Sequence, residues 1–269
     1  MSESTYYRDH WLTVERERLD AYEELFRWRP QLEPLLAPAR LEAGLVVADY
    51  GCGPGHLTVE LARRVGARGL VHALDLNAEF VSRTRARAEA EGVAGRVTAH
   101  EIARDGIPLP PGALDRVICK NVLEYVDDPL LTLASFRSAL RPGGIAHVID
   151  SDWALLAVEP LGIERTSELF AAARHAYRTP QIGRQLHRLF RRAGFRDVEV
   201  RVLATPDLKG HMAPVVWNMV QYARASGKLA PALLDAIVAD VKRAIDAGEF
   251  LLLLPQFLVT GVAGEEGRP

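Results

Sequence analysis

Between residues 45 and 150, short β-rich apolar runs alternate with helix-like stretches, and this alternation restricts the possible folds more than any other feature. The strand-like runs lie near Leu45–Tyr50, Leu70–Leu76, Arg96–Ile102, Leu114–Lys120 and Gly144–Asp150. The helical stretches lie near His56–Val65, Ala78–Glu91 and Pro129–Leu140. Strands separated by helices predict a parallel sheet. Right-handed crossovers would place all five carboxyl ends, and any ligand crevice, along one edge.

The regular alternation of strands and helices ends after Asp150, and helices dominate the second half of the chain. The pattern predicts helices near 162–177, 181–194, 212–226 and 230–247, a strand near Asp197–Ala204 and a last strand within 250–262. Pro255 is awkward inside that last strand, where it would mark a bulge or the start. A further helix is predicted over 8–28. We expect the late helices, about 207–248, to form a cap inserted between the last two strands.

Composition and charge narrow the class of protein. The 269 residues are 48% hydrophobic and carry a net charge of -2, which is typical of a globular protein and speaks against a nucleic-acid partner. Cys52 and Cys119 lack the number and spacing for disulfides or a structural metal, so we expect no metal and a cytoplasmic setting. The start does not resemble a signal peptide. Pro255 and Gln256 interrupt the longest uncharged run, 250–264, so no membrane span is expected.

Three glycines follow the first predicted strand. Gly51, Gly53 and Gly55 form a G-x-G-x-G turn, where glycine lets the backbone approach a ligand that a Cβ would exclude. The turn could equally be a sharp strand-to-helix connection. It does not complete the dinucleotide pattern G-x-G-x-x-G, because His56 stands at the last position.

An acidic residue ends the second predicted strand. Asp75 follows the glycine turn by roughly the 20 residues expected of a carboxylate that binds ribose hydroxyls. Its alternative role is to cap the helix that begins near Ala78, although Asn77 is the better-placed cap. Strand, glycine turn, helix, strand and acid together predict a nucleoside-ligand site.

Five short motifs occur in order between residues 47 and 144. They are Val47–Gly55, Ala73–Asp75, Ile107–Pro110, Leu114–Ile118 and Leu140–Gly144. In this order and spacing the chain resembles the class I S-adenosylmethionine-dependent methyltransferases. The likeness is to the small-molecule type, which includes ubiquinone/menaquinone and bacterial natural-product enzymes. The likeness covers about residues 40–152. The ends of the chain match the family only in their order of predicted helices and strands.

The resemblance implies a cofactor role for several residues. Asp49 and the loop Gly51–Gly55, with Cys52, would face the methionine part of S-adenosylmethionine, and Asp75 would hold the ribose. Leu76 would flank the adenine, and Asn121 would line the sulfonium end. Cys52 and Cys119 are expected to be small buried residues rather than nucleophiles.

The resemblance leaves two alternatives for the residues that contact the adenine. Many relatives place an acid where Ala103 stands in this chain. Either the backbone of Ile102 to Arg104 holds the adenine, or Asp105 substitutes for the acid. Relatives also often carry a His at the position of Tyr125, so a simple histidine-base mechanism is not expected.

Candidate acceptor-binding residues lie beyond the cofactor motifs. Asp152 and Trp153 leave the fifth strand at the expected acceptor edge, yet they could instead cap a turn and pack in the cap core. Tyr6, Tyr7 and Trp11 could close over the acceptor as a lid, or pack one face of a helix. Arg178 could bind an acceptor carboxylate or phosphate, or begin a solvated helix. Tyr7 and Asp152 are our candidate catalytic residues.

The sequence predicts a single Rossmann-like α/β methyltransferase domain over 1–269, with a seven-stranded, mostly parallel sheet flanked by helices and a helical cap. Its expected parts are a lid segment at 1–40, a cofactor-binding core at 41–152 and the remaining strands with the cap at 153–269. The predicted reaction is in-line methyl transfer to a small molecule, a natural product or quinone-like metabolite, with a homodimer possible.

Three alternatives remain open. The fold could serve a non-catalytic cofactor-binding protein or an NAD-dependent oxidoreductase. A nucleic-acid methyltransferase ranks lower, because the Asn/Asp-Pro-Pro-aromatic signature is replaced by Lys120-Asn121-Val122-Leu123.

Overall fold

The structure is a computed structural model that describes residues 5–14, 19, 23, 25–103 and 106–264. The first half of the chain alternates strands and helices. Its strands are β1 (Val46–Tyr50), β2 (Leu70–Asp75), β3 (Val97–Glu101), β4 (Leu114–Lys120) and β5 (Leu140–Ser151). Its helices are α1 (Tyr6–Leu12), α2 (Glu33–Leu36), α3 (His56–Val65), α4 (Ala78–Ala90) and α5 (Pro129–Ala139).

Residues 153–264, which the structure describes without a gap, add four α-helices and four strands. The helices are α6 (Gly162–Ala173), α7 (Ile182–Arg192), α8 (Ala213–Ser226) and α9 (Pro231–Ala247). The strands are β6 (Ala157–Glu159), β7 (Phe195–Leu203), β8 (Leu251–Leu253) and β9 (Gln256–Ala263). In the part of the chain that the structure describes, no helix is both long and apolar enough to cross a membrane.

Seven strands form one sheet in the order β3-β2-β1-β4-β5-β9-β7. The first five run parallel, and β9 lies antiparallel between β5 and β7. This confirms the predicted seven-stranded, mostly parallel sheet. Because β1 lies between β2 and β4, the loops that follow these three strands meet at one edge.

Strand ends differ from the prediction where the pairing is irregular. β5 begins at Leu140 rather than Gly144, because Leu140 already pairs with Leu114 before the register shifts at Arg116. β7 begins at Phe195 rather than Asp197. Asp197 has φ 48° and lies in a bulge against β9.

The prediction of one continuous helix over 8–28 is wrong, because α1 ends at Leu12, Thr13 is extended, and residues 26–28 are not helical. The helix α1 starts at Tyr6, and Leu19, Glu23 and Leu25 are helical. Residues 15–18, 20–22 and 24 of this predicted helix lie outside the described residues.

The structure contains a small second sheet that the sequence pattern does not predict. β6 and β8 form a separate two-stranded antiparallel sheet, and Pro255 separates β8 from β9. The helices α8 and α9 lie between β7 and β9 in the chain and pack with α6 around a buried core. The three-residue strands were missed because they are too short to show an alternating pattern.

Candidate functional site

The glycine turn after β1 holds three left-handed glycines. Their φ angles are 74° at Gly51, 53° at Gly53 and 87° at Gly55. A Cβ at Gly51 would overlap the side chain of Val122, and one at Gly55 would lie 2.8 Å from Thr84 Cα. Both glycines are therefore required by the packing of the protein itself.

Gly53 differs from its two neighbours. The nearest atom to a Cβ at this position would be Phe26 Cδ2, at 4.0 Å. The turn therefore presents bare backbone to open space at Gly53, which is the cradle expected where a ligand approaches the chain.

Asp75 lies at the end of β2, directly beside this cradle. One carboxylate oxygen accepts a hydrogen bond from Gly53 N at 2.8 Å, and the other accepts from Asn77 N at 2.9 Å. Burial raises the pKa of Asp75 to about 6, and the backbone N–H donors oppose that rise. Asn77 itself caps α4 by accepting from Glu79 N and Phe80 N, so Asp75 is not the helix cap.

Asp49 lies beneath the glycine turn on β1. Its carboxylate is 1% exposed and accepts a hydrogen bond from Thr58 Oγ1 at 2.6 Å. Burial raises its pKa to about 7, the Thr58 hydroxyl opposes the rise, and the charge of Asp75 adds to it. Asp49 therefore carries a carboxylate whose ionisation is costly in the folded protein.

Asn121 follows β4 at the same edge. It has φ 54°, an uncommon conformation for a residue other than glycine. Its side-chain oxygen accepts from Lys120 Nζ at 2.8 Å, and its side-chain nitrogen donates to Ser151 Oγ at 3.3 Å. The turn after β4 is thus held by side chains from two strands.

Cys52 and Cys119 are both buried beside this edge. Burial raises the pKa of each thiol well above 9.0. Both remain protonated at neutral pH, as expected of packing residues rather than nucleophiles.

Leu76 and Ile102 lie at the ends of β2 and β3. Ile102 N donates to Asp75 O at 2.9 Å, which holds the two strand ends together. Ala103 is exposed beside them. Arg104 and Asp105, the remaining adenine candidates, lie outside the described residues, so both predicted adenine arrangements stay predictions.

The residues predicted for the acceptor side form several contacts with the protein itself. Asp152 is fully buried, accepts from Ala154 N at 3.1 Å and pairs with Arg184. Trp153 packs in the cap core, and its indole N–H donates to Glu124. The turn-cap and core alternatives therefore describe these two residues, and their roles toward an acceptor stay predictions.

An aromatic cluster joins α1 to the cap. The Tyr6 ring packs 4.6 Å from His175 and 6.3 Å from Tyr222, and Trp11 packs 5.2 Å from Tyr125. Tyr125 in turn stacks on Tyr177. The structure thus places Tyr6 and Trp11 against the cap and the loop after β4.

Tyr7 and Arg178 meet at the edge of this cluster. The Tyr7 hydroxyl donates to Asp127, and the Arg178 guanidinium lies 5.5 Å from the centre of the Tyr7 ring. Burial and Asp127 raise the pKa of Tyr7, so its hydroxyl stays protonated at neutral pH.

Glu23 and Phe26, which we call the N-terminal strap, lie over the glycine turn. Glu23 binds His56 at 2.9 Å, Arg83 at 3.2 Å and also Arg87. The Arg87 side chain also donates to Pro54 O at 2.8 Å. This strap connects the segment before β1 to both helices that flank the glycine turn.

Comparison with known proteins gives the family. A family model described as a methyltransferase domain matches residues 47–144. A ubiquinone biosynthesis O-methyltransferase of Cupriavidus pinatubonensis is 31% identical over 200 residues, which cover 68% of this chain and 78% of that protein. This chain belongs to the class I S-adenosylmethionine-dependent methyltransferases.

Other methyltransferases share the fold. A SAM-dependent methyltransferase from Aquifex aeolicus aligns with a TM-score of 0.54 at 20% identity, over 71% of this chain and 93% of that one. Haemonchus contortus phosphoethanolamine N-methyltransferase 2 aligns with a TM-score of 0.64 at 18% identity, over 96% of this chain and 60% of that one.

Several relatives are longer than the aligned methyltransferase region. The chain spans 42% of an uncharacterised 37.1 kDa protein from a Streptomyces fradiae transposon, to which it is 36% identical over 55% of its own length. It spans 62% of a ubiquinone biosynthesis O-methyltransferase of Xanthomonas euvesicatoria, at 33% identity over 53% of its own length.

Some residues of this candidate site are not predicted from the sequence. They are Lys120, Thr58 and Glu23, none of which stands in a pattern that indicates a ligand site. For Lys120, the signal in the sequence is its position directly before the predicted site residue Asn121. The contact of Glu23 with α3 and α4 spans 33 to 64 positions and has no local pattern.

Replacing Asp49 with Asn is expected to stabilise the methyltransferase at pH 8. Because the pKa of Asp49 is about 7 in the folded protein and 3.8 ordinarily, ionisation costs up to about 4 kcal/mol of folding free energy above pH 7. In the unaltered protein Asp49 does not reduce the stability below pH 4, and its cost grows as the pH rises toward 7. Asn avoids the loss, so thermal unfolding should show a larger gain at pH 8 than at pH 5.

Asp115→Asn is the matched control for this experiment. Asp115 accepts from Val46 N and from Arg141 Nη2, both at 2.8 Å, so its replacement should lower the melting temperature at both pH values. A change at Asp49 that is the same at pH 5 and pH 8 would contradict the assignment of a costly ionised carboxylate.

Proposed function

We propose that this chain binds S-adenosylmethionine at the carboxyl edge of β1, β2 and β4 and transfers its methyl group to a small-molecule acceptor. The observation that carries the proposal is the bare backbone of Gly53 beside the Asp75 carboxylate. A Cβ would occupy this cradle, and the carboxylate can accept two hydroxyl hydrogen bonds, so the residues fit the ribose and methionine parts of the cofactor. Family membership supports the same cofactor.

The chain's own residues would position the cofactor and the acceptor rather than activate the methyl group. When bound, the cofactor supplies an electrophilic methyl group on a good leaving group. Asp49, Gly51 to Gly55 and Asn121 would line its methionine end, while Leu76, Ile102 and Ala103 would flank its adenine. Holding two reactants in line and excluding water is worth up to about 7 to 11 kcal/mol in favourable intramolecular systems.

The acceptor would lie between the aromatic cluster and the turn after β4. Tyr6, Trp11 and Trp153 would shape this side, and Arg178 would meet an acidic group on the acceptor. The Tyr7 hydroxyl, which donates to Asp127, has lone pairs left to accept a hydrogen bond from an acceptor hydroxyl or amine. Asp152 remains our candidate for taking the acceptor's proton where one must leave.

A phenolic, quinone-related or natural-product acceptor is the class we propose. Named relatives act in ubiquinone biosynthesis as O-methyltransferases, and aromatic side chains suit a planar acceptor. We also propose one methyltransferase domain over 1–269, with a lid at 1–40, a core at 41–152 and the cap within 153–269. The family match does not favour an oxidoreductase or a non-catalytic binding protein.

Two measurements test the function. Titration calorimetry with S-adenosylmethionine and S-adenosylhomocysteine tests the cofactor, and transfer of a labelled methyl group to catechols, quinols and amines tests the acceptor class. Absence of binding by the folded protein would overturn the proposal. Binding without transfer to any acceptor would favour the non-catalytic alternative.

Removing the strap contact is expected to speed cofactor exchange. Glu23→Ala would break the contacts with His56, Arg83 and Arg87 that hold the strap over the glycine turn. Because partly exposed ion pairs contribute about 0.2 to 1 kcal/mol each, the affinity for S-adenosylhomocysteine should fall about 5-fold. Stopped-flow displacement should show most of this change in a faster dissociation rate.

Glu79→Ala is the matched control for the strap. Glu79 is exposed and pairs with Arg83 within α4, so its removal leaves the strap in place. Equal dissociation rates for Glu23→Ala and the unaltered protein would show that the strap does not cover the cofactor.

A further inference from the structure

Lys120 occupies an unusual position at the end of β4. This strand lies between β1 and β5, and Lys120 Nζ donates to the side-chain oxygen of Asn121 at 2.8 Å. Burial lowers the pKa of Lys120, while the charges of Asp150, Glu124 and Asp49 raise it. An ammonium group is thus placed among carboxylates from three neighbouring segments of the sheet edge.

These three carboxylates are deeply buried. Asp49 and Glu124 are 1% exposed and Asp150 is fully buried. Their direct hydrogen bonds come mainly from neutral groups, such as the Trp153 indole on Glu124 and the N–H of Leu123 on Asp150. Lys120 is a cation whose charge lowers the pKa of all three, against the effect of burial.

The left-handed conformation of Asn121 depends on its hydrogen bond with Lys120. A left-handed conformation is unfavourable for a residue with a side chain, so the surrounding structure must hold it. Three contacts do so: Asn121 N donates to Ile149 O at 2.8 Å, Lys120 donates to its side chain, and its side chain donates to Ser151. Ser151 Oγ is held in turn by the side chain of Gln256 on β9.

We propose that Lys120 is a positioning residue for the methyl donor, which holds Asn121 in place at the carboxyl edge of the sheet. The proposal rests on the proposed function. It assigns Lys120 one effect: a hydrogen bond that orients the turn after β4.

Calorimetry with S-adenosylmethionine and S-adenosylhomocysteine at pH 7.5 tests the proposal. Lys120→Met should weaken the binding of both ligands about 10-fold, because both carry the amino-acid part that Asn121 would line. Asn121→Ala and the double variant complete a cycle. If Lys120 orients the turn through Asn121, the double variant should lose less than the sum of the single losses.

Arg116→Met is the matched control at the other end of β4. Arg116 is half-buried and donates to Ala39 O at 2.8 Å and Arg40 O at 3.1 Å. Its replacement should lower the melting temperature without changing either dissociation constant.

The outcomes separate this proposal from the proposed function. Failure of the unaltered protein to bind S-adenosylmethionine would overturn the function itself. Normal binding by that protein, together with Lys120→Met affinities within twofold, would overturn the role of Lys120 alone. Should the Met variant not fold, Asn121→Ala is measured by itself, and affinities within twofold there would overturn the same role.

Discussion

Asp75→Ala is expected to weaken S-adenosylmethionine binding by about 30-fold to 1,000-fold. The carboxylate would lose two charge-assisted hydrogen bonds to ribose hydroxyls, which together are worth on the order of 2 to 4 kcal/mol. The structure adds a second cause, because Asp75 also accepts from Gly53 N and Asn77 N and so holds the glycine turn. Calorimetry measures the dissociation constant.

The pH dependence of S-adenosylmethionine binding provides a second test of the role of Asp75. Since burial raises its pKa to about 6, the carboxylate accepts hydrogen bonds fully above that pH, and affinity should fall as the pH drops through 6. Asp75→Asn, which keeps one acceptor oxygen, should bind with intermediate affinity and lose this dependence. An unchanged dissociation constant for Asp75→Ala at pH 7.5 would remove Asp75 from the ribose site.

Alanine substitutions in the glycine turn should separate binding from folding. Gly53→Ala meets no atom closer than 4.0 Å, so the fold should lose only about 1 kcal/mol for the left-handed conformation. The added methyl group would point into the cradle, and S-adenosylmethionine affinity should fall at least 10-fold. Calorimetry and thermal unfolding on the same samples measure both effects.

Gly55→Ala is the complementary variant. Its Cβ would lie 2.8 Å from Thr84 Cα, so it should destabilise the protein more strongly than Gly53→Ala. If Gly53→Ala bound S-adenosylmethionine normally, the glycine at that position would serve the turn alone, and the cradle would not face the cofactor.

Much of the sheet and part of the site could be predicted because their signals are local. The strands β1 to β5 show as apolar runs between amphipathic helices, and a parallel sheet follows from chain connectivity. Gly51, Gly53, Gly55 and Asp75 are fixed in place by strand ends, so a motif read along the chain locates them at one edge. Their predicted ligand roles remain to be measured.

The contacts that hold this edge could not be predicted in the same way. The Lys120–Asn121–Ser151 connection joins neighbouring strands, Asp152 pairs with Arg184 across 32 positions, and Glu23 reaches Arg87 across 64. Such pairs depend on which side chains the packing brings together. No periodic pattern along the chain records them.

The sequence by itself determined the order of β1 to β5 and of the helices α3, α4 and α5 between them, the glycine turn and the acid that follows it, because backbone periodicity and glycine conformations are properties of short segments. The tertiary structure alone decided the charge environment of Asp49, the constraint on Asn121 and the strap over the glycine turn. Burial and long-range pairing set these features, since a pKa or a side-chain orientation depends on neighbours that lie far apart in the chain.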